Sequence, residues 1–277
     1  MTNVLYDGVF APHAASEKVF LFTPAGKISY AAFTQMTNRL SNCLVKNGLQ
    51  SGDRVAVQAD KSVTQLALYA ATIKAGGVYL PLNTGYTPHE LDYFISDAKP
   101  AVVVVANRVS EAVTPLASGI GANLQTLNAD ETGSLVRQLE LESTDFTAVP
   151  RSNEDLAAIL YTSGTTGRSK GAKLCHRNLL SNAEVLAESW KFSSDDVLLH
   201  MLPIYHTHGL FVASNLLCMV GGSMIFLPKF SAADALAWMP KASSMMGVPT
   251  FYTRLLDAPE FTREATSHMR LFISGSA

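Results

Sequence analysis

Apolar positions along the 277-residue chain fall into two alternating rhythms. Phe33, Met36, Leu40 and Leu44 recur at helical spacing after Ser29, which can cap the helix, and Gly48 sits where a C-terminal cap is expected. Short apolar runs at Arg54–Val57, Val78–Leu80 and Ala101–Val105 are separated by helical patterns over Val63–Ala75 and Pro88–Asp97. The same alternation resumes with strands expected over Leu156–Tyr161, Val197–Met201, Ser223–Leu227, Ser244–Val248 and Leu271–Ser274. Helices are expected between them, over Leu179–Trp190, Phe211–Val220, Ala232–Met239 and Thr250–Leu256. Continuous β-branched runs separated by helices imply an α/β fold with two mostly parallel sheets covered by helices. Residues 119–154 are polar and irregular, with Gly119, Gly121, Gly133 and Pro150, so the expected division is a first α/β subdomain over 1–150 and a second over 151–277.

Composition adds a globular core: 48% of residues are hydrophobic and 16% charged, unlike a disordered chain. With 21 Lys+Arg against 23 Asp+Glu and no basic run, no nucleic acid partner is expected. Leu210–Leu227 lacks charge but is broken by Ser214, Asn215, Gly221, Gly222 and Ser223; it reads as a buried helix, a turn and a strand, and no membrane association is expected. Cys43, Cys175 and Cys218 are odd in number and far apart, which suits neither a disulfide framework nor a zinc site. A reducing, cytoplasmic setting is the simplest expectation, and the N-terminus shows no basic start followed by an apolar run.

The most informative segment is Tyr161–Gly171, YTSGTTGRSKG. Three glycines let backbone approach a ligand closely, exposed N–H groups and hydroxyls supply donors for phosphate oxygens, and Lys170 adds positive charge. The same composition suits a surface turn. Two commoner nucleotide motifs are absent. A Walker loop needs Gly-Lys-Ser/Thr at its end, whereas Gly167 is followed by Arg168 and Lys170 precedes Gly171; no G-x-G-x-x-G pattern occurs.

Residues 161–172, YTSGTTGRSKGA, resemble the signature phosphate loop of the adenylate-forming superfamily, which includes acyl-CoA synthetases, luciferases and peptide-synthetase adenylation domains. Further matches follow in the family's order: Gly76–Asn83, His176–Leu179, Leu202–Gly209 (LPIYHTHG), Gly247–Thr250 (GVPT) and Ser274–Ala277 (SGSA). Within the superfamily, LPIYHTHGLFVASN, GSMIFLPKF and MGVPTFYTRLL look most like malonyl-CoA synthetases. Lys173 and Cys175 depart from the family's usual apolar and hydroxyl residues beside the loop.

The resemblance implies the N-terminal portion of the adenylate-forming fold and a ligase that joins malonate to coenzyme A at the expense of ATP, with Mg²⁺. Alternatives are a ligase for another short carboxylic acid, or a truncated nucleotide-binding or assembly module without full turnover. By resemblance, ATP would be held by Thr162, Ser163, Gly164, Thr165, Thr166, Gly167 and Lys170, with Gly275, Ser276 and Ala277 lining the adenine and Thr162 contributing to the metal. His206 would donate to the forming acyl phosphate, its alternative being a satisfied core histidine; His208 has no such role in the motif and reads as structural. A zinc pair of the two histidines lacks further ligands. Gly247, Val248, Pro249 and Thr250 would line the acid pocket, or form an ordinary strand-to-helix turn. The family's later motifs, including its Mg²⁺-holding Glu, ribose-binding Asp, adenylation lysine and the arginine for malonate's distal carboxylate, do not occur here, and the second sheet is expected to be unfinished.

Overall fold

The computed structural model describes residues 2–162 and 169–276. In chain order these form α1 (Val4–Val9), β1 (Val19–Thr23), β2 (Gly26–Ser29), α2 (Tyr30–Lys46), β3 (Arg54–Gln58), α3 (Val63–Lys74), β4 (Val78–Pro81), α4 (Pro88–Ala98), β5 (Val102–Val105), α5 (Asn107–Gly119), β6 (Asn123–Thr126) and α6 (Ser134–Leu139). Then come β7 (Leu156–Thr162), β8 (Lys170–Cys175), α7 (His176–Ser189), β9 (Val197–His200), a π-helical turn (His208–Ser214), α8 (Asn215–Val220), β10 (Ser223–Phe226), α9 (Ala232–Trp238), β11 (Ser244–Gly247), α10 (Pro249–Leu256) and β12 (Leu271–Ser274). Two compact units result: Met1–Gly8 with Thr34–Leu180, and Val9–Phe33 with Ser181–Ala277.

The first unit holds a six-stranded sheet in the order β6-β5-β3-β4-β7-β8, parallel except where β8 turns back against β7. Of its inner strands β4 and β5 are buried along their whole length, as four consecutive valines in β5 require. Leu80, Leu91, Phe94, Val103 and Val105 pack in one cluster on this sheet. The helix α3 is buried nearly all round, starts on Ser62, whose side chain accepts from the Gln65 N–H, and stops at Gly76, where φ is +77°.

The second unit holds the order β12-β11-β9-β10-β1-β2, again parallel except for the β1–β2 hairpin. Tyr30 stacks on Phe20 with centroids 4.5 Å apart, and its hydroxyl donates to the Leu217 and Gly222 carbonyls at 3.1 and 2.6 Å. A second cluster gathers Leu199, Ile225, Met239, Met245 and Leu255.

The expected boundary near residue 150 is displaced. The strands β7 and β8 complete the first sheet, so the division falls after Leu180, and residues 9–33 join the second unit because β1 pairs in parallel with β10. The stretch expected to be irregular contains β6 and α6, and Asn107–Gly119 is a helix despite Pro115 in its interior. The helix expected from Phe211 instead opens as a π-helical turn at His208 and becomes α-helical only at Asn215. Among the described residues no helix is long and apolar enough to cross a membrane.

Candidate active site

The segment singled out by its glycines and hydroxyls joins β7 to the antiparallel β8, so it leaves the carboxyl end of a strand that is parallel to β4. Ser163, Gly164, Thr165, Thr166 and Gly167, and Arg168 with them, lie outside the described residues. Its two ends are well fixed. The Tyr161 ring packs on Phe94 with centroids 4.6 Å apart, its hydroxyl bonds Asp97, and Tyr93 donates to the Ser169 carbonyl at 2.8 Å. Burial, then the bond to Asp97 and its charge, raise the Tyr161 pKa, so the phenol stays protonated. Thr162 and Lys170 face each other across the hairpin and both are exposed. Lys173 is also exposed on this edge strand, where charge discourages further pairing.

Thr162 offers one hard oxygen, whose only contact among the described residues is a long one of 3.5 Å to the Lys170 carbonyl. One hydroxyl suits Mg²⁺, which takes few protein ligands and fills its shell with phosphate oxygens and water. Among the described residues no group of three or more His, Cys, Asp or Glu could hold a metal.

In the second unit a cavity of 390 Å³ is lined by Leu202, Pro203, His206, Thr207, His208, Gly209, Val248 and Ser276. Most of the wall comes from the turn between β9 and the π-helical segment. His206 stands at the exposed rim with Tyr205 edge-on to it, centroids 4.6 Å apart. Partial desolvation lowers its pKa, which favours the neutral imidazole, a form with one donor and one acceptor nitrogen. His208 is 7% exposed, and its Nδ1 has no hydrogen-bond partner among the described residues. Burial lowers the His208 pKa too, with the Gly275 backbone opposing.

Of the four residues expected in an acid pocket, only Val248 lines the cavity. Gly247 is buried, and its carbonyl accepts the Gly275 N–H at 3.2 Å, while Pro249 and Thr250 are exposed in the first turn of α10. Ser276 lines the same cavity in a left-handed conformation, φ +61°; Gly275 lies beside His208, and Ala277 is outside the described residues. Thr207, His208 and Gly209 were not assigned pocket roles from sequence, although they sit inside the LPIYHTHG motif. Cys175 bonds Asn178 Oδ1 at 2.9 Å, and burial raises the thiol pKa of Cys43, to about 12, and of Cys218.

A Gly/Ser/Thr-rich segment that leaves the carboxyl end of a strand and a small, partly polar cavity, each on a mostly parallel sheet, occupy the places where α/β proteins commonly bind ligands. The chain belongs to the AMP-binding enzyme family, whose pattern matches residues 11–277. It is 35% identical over 260 residues to the mitochondrial malonate–CoA ligase ACSF3 of Mus musculus, covering 86% of this chain and 43% of that protein. It is 29% identical over 277 residues to a long-chain-fatty-acid–CoA ligase of Bacillus subtilis, covering 86% and 49%. The crystal structure of ATP-bound MatB from Rhodopseudomonas palustris superposes with a TM-score of 0.97 at 55% identity, over 100% of this chain and 55% of that one. The chain thus spans about half the length of the curated relatives it matches.

Proposed function

We propose that the protein is an ATP-dependent acid-CoA ligase acting on malonate, with Mg²⁺, in a cytoplasmic setting. In this reaction a carboxylate oxygen attacks the α-phosphorus of ATP and the bond to the β-phosphate bridge breaks, releasing diphosphate. The sulfur of coenzyme A then attacks the acyl carbon, the bond to AMP breaks, and the thiol proton passes to solvent. Thr162 and Lys170, with the rest of their loop, serve the phosphates. Mg²⁺, when bound, neutralises phosphate charge, and Thr162 supplies one oxygen to it. His206 donates to the acyl-phosphate oxygen, while Leu202 and Val248 give the acid an apolar wall.

The observation that carries this reading is the cavity around His206: at 390 Å³, with His206, Thr207, His208 and Ser276 beside the apolar Leu202 and Val248, it has the size and mixed lining of a small-molecule site. The likeness to a long-chain-fatty-acid–CoA ligase keeps other acids as the second reading. Acid-dependent pyrophosphate exchange by the full-length protein, with malonate, acetate and a long-chain acid compared, tests it. Malonate should give the highest kcat/KM, and Lys170→Ala should weaken ATP use by about 2.7–4 kcal/mol of transition-state stabilisation, the usual loss for one donor in a preorganised site. Exchange with none of the acids, or preference for the long chain, would overturn the assignment.

A further inference from the structure

Six of the eight cavity-lining residues, Leu202 to Gly209, fall between His200 and Ser214. His200 ends β9, Ser214 ends the π-helical turn, and both are buried. Their side chains converge on one atom. The Gly209 carbonyl lies 2.9 Å from His200 Nε2 and 2.8 Å from Ser214 Oγ, and the two side-chain atoms are 3.3 Å apart. A carbonyl only accepts, so His200 carries its proton on Nε2 and Ser214 donates its hydroxyl. Gly209 is itself pressed against the chain leaving β9: a Cβ there would stand 2.1 Å from the Pro203 carbonyl oxygen.

A π-helical turn is rare because its wide register bonds less well than an α-helical one, and it persists where surrounding contacts hold it. We propose that His200 and Ser214 are positioning residues, whose joint clasp on the Gly209 carbonyl holds the π-helical register that presents His206 and His208 to the cavity. Neither lines the cavity, so they act only through the turn. A slip to the α-helical register moves the residues before it by one position, about 100° around the axis and about 1.5 Å along it. A misplacement near 1 Å can cost about a hundredfold in rate. For its kinetic consequence alone the inference rests on the ligase reading above.

The test uses the full-length protein with His200→Leu, His200→Gln and Ser214→Ala. Steady-state pyrophosphate exchange with malonate and ATP is measured beside thermal melting and the ring ¹H–¹³C NMR signals of His206 and His208. His200→Leu is expected to lower kcat/KM for malonate by about tenfold to a hundredfold, to change the KM for ATP much less, and to move both ring signals. His200→Gln keeps a side-chain N–H donor and should recover most of the loss. Wild-type kinetics and ring signals in His200→Leu would overturn the proposal, as would equal losses in the Leu and Gln variants that track their melting temperatures. If His200→Leu does not fold, Ser214→Ala decides, since ring signals coincident with wild type refute the clasp. If the wild-type protein exchanges with no acid, the ligase reading fails, while the ring signals of the variants still decide the clasp.

Discussion

Removing Arg270 should loosen the second sheet at the start of three strands at once. Asp196, Ser243 and Arg270 immediately precede β9, β11 and β12, which are neighbours in that sheet. Arg270 grips Asp196 through Nε to Oδ1 at 2.7 Å and Nη2 to Oδ2 at 2.8 Å. The Ser243 hydroxyl adds a donor at 2.7 Å and the Ser193 N–H another at 2.9 Å, so the carboxylate is fully engaged. Its side chain is 5% exposed against 36% for Arg270. Breaking a buried pair from one side costs about 3–5 kcal/mol. Because Arg270 is partly solvated and Asp196 keeps two other donors, Arg270→Met is expected to cost nearer about 2–3 kcal/mol. That corresponds to a fall of about 4–12 °C in Tm for a chain of this size.

The pH dependence gives the same argument a sign. Burial alone would raise the Asp196 pKa, but the bonds from Arg270, Ser243 and the Ser193 N–H, with the Arg270 charge, outweigh it and hold the carboxyl below its ordinary 3.8. Stability from the ionised group is therefore present above the unfolded-state value and lost as pH falls through the folded-state one. The gap between wild type and Arg270→Met should be full at neutral pH and close in acid. Urea denaturation across that range, with hydrogen exchange resolved by segment, measures it. A gap independent of pH, or protection lost equally from β3–β6 and from β9–β12, would refute the reasoning.

Two further outcomes concern the first unit. His176 is buried, accepts the Leu5 N–H on Nδ1 at 3.2 Å, and is held down to about 4 from 6.5 by burial and then by the Arg151 charge, with Asp155 opposing. Stability should therefore decline as pH falls from 6.5 toward about 4, where the unfolded chain takes up the proton first, and His176→Asn should flatten that slope in urea titrations; an unchanged slope assigns it elsewhere. Ser62→Ala removes the oxygen that accepts the Gln65 N–H at 3.1 Å and should cost about 1 kcal/mol, read as a shift in urea midpoint at constant m-value.

The interior strands other than β1 were legible because burial on two faces demands uninterrupted apolar runs, as in Val102–Val105, whereas β1 is only partly buried and was not expected. The edges were not. The strand β6 reads Asn-Leu-Gln-Thr and β8 reads Lys-Gly-Ala-Lys-Leu-Cys; each pairs through its backbone on one side only, so polar and charged side chains are tolerated and the apolar signal disappears. The unit boundary was hidden for a different reason. Leu21 pairs with Met224, a contact across some two hundred residues that no local window contains.

The site divides along the same line between local chemistry and long-range placement. His206 could be named because its motif brings Pro, an aromatic residue and Gly into fixed positions around it. His208 could not, since the motif assigns it no role and the helix was expected to begin only at Phe211, leaving the direction of its ring open. The two histidines share the cavity because His206 precedes the helix and His208 is the first residue of its π-helical part. This placement changes how histidine substitutions compare: His208→Ala removes a ring from the same cavity and is no bystander to His206→Ala. His268, exposed, with Nε2 2.7 Å from the Met239 carbonyl and absent from the cavity wall, is a histidine whose loss leaves that wall intact. If His206 acts on the acyl phosphate, His206→Ala should depress pyrophosphate exchange well beyond any loss in His268→Ala at matched melting temperature. Equal depression in both would mean that exchange tracks folding and that the His206 ring does no chemistry.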